Sequence, residues 1–185
     1  MVSIIGGFNY PDYMRYLLLQ QGIMYLDNDF DGNQATYTAE IHTLLEQPGS
    51  QLHIWVTSNG GDVYASLALY DMIRGITQKE VVCTCYGLAA SAAATIILQA
   101  AKVRRASTNC TFMLHEITGW IGDRVSKSAH EDAGKEMARL TDVICGILAG
   151  RMGKSKEEVE TLFARKEIWM GANEAKAMGL VDEVI

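Results

Sequence analysis

The chain has 185 residues, of which 49% are hydrophobic and 21% are charged, and its formal net charge is -6. This length fits one domain, residues 1–185, with a substantial hydrophobic core. Basic residues never cluster beyond the pair Arg104-Arg105. The composition therefore argues against a nucleic acid partner.

An uncharged stretch over residues 81–101 is long enough to cross a bilayer, but its composition argues against a membrane span. Its first half is β-branched and its second half is mostly alanine, with Gly87 between the two. This pattern predicts a buried strand followed by a buried helix.

Cysteine usage indicates the compartment. The four cysteines are Cys83, Cys85, Cys110 and Cys145. Their spacing does not match a zinc site, and no signal-like segment opens the chain. We therefore expect free, buried thiols in the reducing cytoplasm, with no metal and no cofactor.

The predicted elements alternate between helices and strands in chain order. The first half gives a helix over 12–20, a strand over 23–26, a helix ending at Pro48-Gly49, a strand over 52–57 with apolar residues on both faces, and a helix over 62–75. A strand over 81–86 ending at Gly87, a helix over 89–100, and short strands over 103–106 and 111–114 follow. The remainder gives a loop or hairpin over 117–125, a helix over 126–151, a helix opened by the capping box at 155–158, a short helix over 173–178 and a strand over 181–185. Such alternation predicts an α/β fold of β-α-β crossovers around a largely parallel sheet.

The helix over 126–151 is much longer than the usual helix. Apolar positions recur along it, including Ala129, Ala133, Met137, Leu140 and Ile144. Two interpretations remain open at this point. The helix either packs against another subunit or lies along the surface of its own domain.

Ser91 is placed for nucleophilic chemistry. It ends the run G-L-A-A-S at 87–91, where the predicted strand gives way to an alanine-rich helix. Unpaired N–H groups at such a helix start could hold an oxyanion, and the small neighbours would admit a substrate backbone. From this run alone, a serine that merely caps the helix is the more frequent alternative. The run is not G-x-S-x-G, which argues against an α/β-hydrolase.

Two further features follow predicted strands. The turn Ser58-Asn59-Gly60-Gly61 comes after a central strand, and its glycines permit a positive φ and close approach of a substrate. His115 ends the strand over 111–114, at the edge where a base would be useful. The other histidines, His42, His53 and His130, fit packing or surface roles.

Several ordered motifs make the chain resemble the Clp protease proteolytic subunit family, ClpP. They are Gly60-Gly61, G-L-A-A-S at 87–91, M-L-H at 113–115, and A-N-E-A at 172–175 followed by G-L-V-D at 179–182. The resemblance extends from about Tyr10 to the C-terminus. It implies the ClpP/crotonase-like fold, an N-terminal segment of about residues 1–20, and a protruding handle over 115–151 that contains the long helix.

The resemblance also implies roles for individual residues. Ser91 would be the nucleophile and His115 its general base, and the N–H groups of Gly61 and Ala92 would form the oxyanion hole. Gly60 and Gly61 would bind the substrate backbone. The implied activity is a serine endopeptidase acting on peptides or unfolded proteins inside a chamber of stacked homo-oligomeric rings. A tetradecamer is expected, with a Clp ATPase such as ClpX or ClpA as partner.

The chain departs from the family pattern at three places. The third triad residue of the family is usually aspartate, and the matching position, twelve residues before Gly179, holds Glu167. Glutamate serves the same orienting role in other hydrolases. Asn59 stands where the family has proline, and only residues 3–9 precede the first helix, which bears on docking of an ATPase. Trp169-Met170 resembles phage-encoded or divergent members.

Three alternatives accompany this interpretation. A catalytically inactive ClpP-like ring subunit would explain Glu167 and Asn59. A crotonase-type acyl-CoA enzyme would share the fold logic, but the chain has no evident basic cluster for CoA phosphates. A relative of the signal-peptide peptidases would need a serine-lysine pair and a membrane anchor, and the sequence offers neither.

Overall fold

The computed structural model describes residues 4–5, 8–27, 29–118 and 126–185. Its helices are α1 (Tyr10–Gln20), α2 (Gln34–Glu46), α3 (Val63–Arg74), a π-helix (Ala93–Ile97) continued by α4 (Leu98–Ala100), α5 (Lys127–Met152), α6 (Lys156–Phe163) and α7 (Ala172–Met178). Its strands are β1 (Ile4–Ile5), β2 (Phe8–Asn9), β3 (Ile23–Leu26), β4 (Gln51–Ser58), β5 (Glu80–Ala90), β6 (Val103–Ala106), β7 (Thr111–Leu114), β8 (Ile168–Gly171) and β9 (Glu183–Val184).

The main sheet has the parallel order β3-β4-β5-β6-β9. Helix α2 joins β3 to β4, α3 joins β4 to β5, and the π-helix with α4 joins β5 to β6, so these three connections are β-α-β crossovers. The predicted α/β fold with a largely parallel sheet is therefore confirmed. Strands β7 and β8 leave this path, because β7 pairs in parallel with the end of β5 and antiparallel with β8.

Strand β5 does not end at Gly87, as the sequence predicted, but continues to Ala90. Gly87 adopts a positive φ of 67° and redirects the strand without ending it. The segment before Gly87 pairs with β6, and Leu88 to Ala90 pair with Thr111 to Met113 of β7. The helix expected over 89–100 therefore begins only after Ser91, and the residues Ala93–Ile97 within it are π-helical.

The core lies on one side of β3 and β4. Leu52, Ile54 and Val56 of β4 are buried, whereas His53 and Trp55 on the opposite face are only half-buried. The strand predicted with apolar residues on both faces is thus buried on one face and half-buried on the other. The crossover helices α2, α3 and α4 contact one another in succession and cover one face of the sheet. The π-helix is buried throughout.

Helix α5 leaves the core along its first half. Its N-cap Ser126 accepts a hydrogen bond from the N–H of Ala129, and the helix ends at Gly153 in the left-handed conformation. No residue of 126–139 is buried, and the buried side chains begin at Leu140. The loop expected ahead of this helix lies mainly in 119–125, outside the described residues.

Three of the described strands were not predicted. Strands β1 and β2 form an antiparallel pair, and β8 adds to β7. The last strand, β9, is shorter than predicted, and the capping box of Ser155 with Glu158 is confirmed. Across the described ranges, no helix combines the length and apolarity that a membrane span requires.

Candidate active site

Ser91 occupies a sharp turn between β5 and the π-helix. Its φ is 53°, a left-handed value that non-glycine residues rarely adopt. Its N–H donates to the carbonyl of Met113 at 2.9 Å, and its carbonyl accepts from the N–H groups of Ala94 and Thr95. The Thr95 hydroxyl donates to the same carbonyl at 2.9 Å. These bonds hold the backbone on both sides of the serine and fix the direction of its side chain.

His115 follows β7 directly and meets Ser91. The ring Nε2 of His115 lies 2.8 Å from Oγ of Ser91. Strand pairing explains this contact, because β7 pairs in parallel with the end of β5 and Ala90 stands opposite Met113. The residues that follow both strands therefore emerge at the same sheet edge.

The Gly60-Gly61 turn lies against the Ser91 turn. A Cβ added to Gly60, at φ 105°, would come within 2.8 Å of Cβ of Ser91 and 2.9 Å of the Ala92 nitrogen. On its other side, Phe30 bonds to the carbonyl of Gly60 and to the N–H of Asp62. Peptide groups alternate in direction along an extended chain, so the N–H of Gly61 points away from Phe30.

An open cleft of about 490 Å³ surrounds these groups. Ser91, His115, Gly61 and Ala92 all line it, so the structure brings together four of the residues singled out in the sequence. The apolar part of its wall consists of Val63, Ile96, Ile117 and Ile144. Sequence reasoning missed these wall residues, since they come from separate elements and each reads locally as an ordinary core position.

Glu167 lies at the same edge of the sheet as His115, directly before β8. In the antiparallel ladder, the last pair is Leu114 with Ile168, and one further step in the same register would set His115 opposite Glu167. Within the described ranges, however, no hydrogen bond joins Glu167 to His115. The exposed Glu167 carboxylate instead accepts a hydrogen bond from the indole Nε1–H of Trp169 at 3.2 Å.

The predicted thiols are as expected, because all four cysteines are buried and unbridged. Burial, with the nearby carboxylates of Glu160 and Asp142, raises the pKa of Cys145 to about 11. A thiol with so high a pKa is a poor nucleophile at neutral pH. Cys145 is therefore not an alternative nucleophile at neutral pH.

The fold and this cleft define a class, the α/β proteins with a serine–histidine pair at the rim of a parallel sheet. The sequence profile of the Clp protease family matches residues 9–185, nearly the whole chain. The chain belongs to the Clp protease family.

Two relatives from Bacteroides fragilis support the assignment. Both are named ATP-dependent Clp protease proteolytic subunit, and each is 32% identical to this chain over 171 residues. The alignments cover 91% of this chain and 81% or 76% of the respective relative. The chain is a ClpP-type peptidase, and the crotonase and signal-peptide-peptidase alternatives are set aside.

Proposed function

We propose that the chain is a serine endopeptidase in which Ser91 is the nucleophile and His115 the general base. The observation that carries this proposal is the 2.8 Å contact between Oγ of Ser91 and Nε2 of His115 at a strained, hydrogen-bonded turn. A serine hydroxyl is a weak nucleophile until an adjacent base accepts its proton. The contact distance lies within the range that such a proton transfer needs.

The mechanism follows from the groups around the cleft. Oγ of Ser91 attacks the peptide carbonyl carbon while Nε2 of His115 takes the hydroxyl proton. The N–H groups of Gly61 and Ala92 receive the negative charge that develops on the carbonyl oxygen. His115 then protonates the leaving amine, the C–N bond breaks, and water hydrolyses the resulting ester with His115 again as base.

An extended substrate fits the Gly60-Gly61 segment. Phe30 occupies one side of this segment in a parallel bridge, so a peptide would add as a strand on the other side, facing the cleft. Main-chain hydrogen bonds of this kind depend little on the amino-acid sequence of the substrate. The apolar wall of Val63, Ile96, Ile117 and Ile144 would receive the side chain that precedes the scissile bond.

Assembly would supply the remaining selectivity. Members of the Clp protease family assemble into rings, and the Bacteroides relatives are named as subunits of an ATP-dependent protease. We propose that this chain forms stacked rings, a tetradecamer, around a chamber that excludes folded proteins, with a Clp ATPase such as ClpX or ClpA delivering unfolded substrates. Four buried, unbridged cysteines fit work in the cytoplasm.

The decisive experiment compares the wild type with Ser91→Ala in hydrolysis of a fluorogenic peptide and in labelling by a fluorophosphonate probe. We expect Ser91→Ala to lose both activities, and the matched Ser128→Ala, at an exposed serine of α5, to keep both. Labelling of Ser91→Ala at the wild-type rate would reject Ser91 as nucleophile. A correctly assembled wild type without Ser91-dependent turnover would instead favour the inactive ring subunit.

A further inference from the structure

Trp169 lies beside the proposed active site, but the mechanism above gives it no role. It stands opposite Met113 in the β7–β8 ladder, and Met113 precedes His115 by two residues. Opposite residues of a ladder share a face, so Trp169 projects on the same side as Met113, and the same alternation carried one residue past the ladder would put Glu167 and His115 on that side. The Trp169 side chain is 56% exposed, so core packing does not explain its presence.

The indole of Trp169 contacts Glu167 in a specific way. Its Nε1–H donates to Oε2 of Glu167 at 3.2 Å, which leaves Oε1 of the carboxylate for another donor. His115 uses Nε2 toward Ser91, so Nδ1 is the ring nitrogen left to donate to a carboxylate. One step beyond the last ladder pair, Leu114 with Ile168, the same register would set His115 opposite Glu167.

A glutamate in this position carries an entropic cost. Its side chain has one more rotatable bond than aspartate, and it is exposed here. An indole has only two side-chain torsions and is a donor only, so it can restrain one carboxylate oxygen at little entropic cost.

We propose that Trp169 is a positioning residue: it holds one oxygen of the Glu167 carboxylate, directly before β8, so that the other oxygen can accept a hydrogen bond from Nδ1 of His115 and orient the ring. This inference rests on the proposed function. Trp169 touches neither the substrate nor Ser91, and it acts through Glu167 alone. The indole N–H, rather than the apolar ring, is the group that matters.

The test is a double-mutant cycle of Trp169→Phe and Glu167→Gln on the assembled protein, with kcat and KM measured on a fluorogenic peptide. Trp169→Phe keeps a ring but removes the N–H. We expect it to lower kcat about 10-fold with KM changed less than about 2-fold, because a misplaced orienting group weakens the transition state more than binding. In the Glu167→Gln background, Trp169→Phe should cause no further loss. The matched control, Trp55→Phe on β4, should leave kcat unchanged, and all variants should keep the wild-type Tm and assembled mass.

Each contrary outcome has a distinct meaning. An unchanged kcat in Trp169→Phe, or the same fold loss with and without Glu167, would overturn the inference while Ser91-dependent turnover stands. Loss of Tm or of assembly in Trp169→Phe alone would assign the residue to packing, which also overturns it. Absence of Ser91-dependent turnover in the wild type would reject the proposed function and this inference together.

Discussion

Backbone strain marks the site at the level of single residues. Among the described residues, Ser91 and Arg165 are the only non-glycine positions with a left-handed φ, at 53° and 57°. Ser91 is the proposed nucleophile, and Arg165 ends the turn two residues before Glu167. Such a conformation costs about 1–2 kcal/mol and persists only where surrounding bonds enforce it. At Ser91 those bonds run to Met113 and Thr95, so the strain is held in the same contacts that aim the hydroxyl.

Gly60 should be as sensitive as Ser91 itself. In Gly60→Ala the new methyl group would lie 2.8 Å from Cβ of Ser91 and 2.9 Å from the carbonyl oxygen of Ala90, at a φ of 105°. Both turns would have to separate. A displacement of about 1 Å can cost about 100-fold in rate, so we expect kcat/KM to fall at least that far in the peptide assay.

Gly150→Ala on α5 is the matched control, since a methyl group there has no heavy atom within 4 Å. It should keep full activity and gain up to about 1 kcal/mol of stability from helix propensity. Near-normal turnover in Gly60→Ala would show that the two turns are not rigidly packed against each other.

At the scale of single residues, the sequence predicted a site residue only where that residue belongs to a recognisable motif. Ser91 and His115 were found from short motifs 24 positions apart, and the structure places their side chains in contact. The position of Glu167 followed from counting back from Gly179. The contact with Trp169 could not be predicted, because it depends on the register between β7 and β8, which no local pattern encodes.

At the scale of elements, one buried guanidinium joins β6 to the C-terminal segment. The Arg104 side chain is 5% exposed and contacts both carboxylate oxygens of Asp182. It also donates to Oε1 of Gln99 at 2.8 Å and to the carbonyl of Gly179 at 2.9 Å. Burial alone would raise the pKa of Asp182, but the hydrogen bonds and charge of Arg104 outweigh it and lower that pKa below its ordinary value.

Asp182→Asn should therefore destabilise the fold by about 2–3 kcal/mol at pH 7, less than a fully buried pair because the Asp182 side chain is 38% exposed. A lowered folded-state pKa gives stability that is present above the unfolded value and lost as the pH falls through the folded value. The unfolded pKa of aspartate is about 3.9. The difference between wild type and Asp182→Asn in urea unfolding should thus be full at pH 7 and shrink below about pH 4.

Glu183→Gln is the control from the neighbouring pair. Arg105 and Glu183 directly follow Arg104 and Asp182 in the sequence, but both are substantially exposed. This pair should contribute less than about 1 kcal/mol. Equal losses in the two variants, or a pH-independent loss in Asp182→Asn, would contradict the role assigned to the buried pair.

The elements that the sequence missed share a physical cause. An alanine-rich run has the same apolar pattern in a π-helix as in an α-helix, so the residues Ala93–Ile97 gave no separate signal. Gly87 indicated a break, yet pairing with β7 carries β5 past it. Strand β8 has four residues and gains its ladder only from β7. In contrast, β3, β6 and β7 are alternating or buried runs bounded by turn residues, and their predicted limits were right.

At the scale of the molecule, the first half of α5 has little cover from the rest of the described chain, which meets it through the Tyr64 hydroxyl of α3, a donor to the Glu136 carboxylate at 2.7 Å. Residues 127–139 extend about 20 Å at 1.5 Å per residue, and none of them is buried. Ala129, Ala133 and Met137 form an apolar stripe along this half. In the ring assembly that we propose, a second copy of the chain would cover the stripe and join the two rings.

Ala133→Glu tests that proposal at the centre of the stripe. A carboxylate buried between two handles would cost several kcal/mol per contact, so the assembled mass should fall from a double ring to a single ring in native mass spectrometry. The fold of each subunit should persist, because Ala133 lies outside the buried core, and circular dichroism would check this. Ser128→Glu adds the same charge on another face of α5 and should leave the mass unchanged. A double ring that survives Ala133→Glu would mean that α5 lies free of the interface, since no well-packed contact tolerates an unpaired carboxylate at its centre.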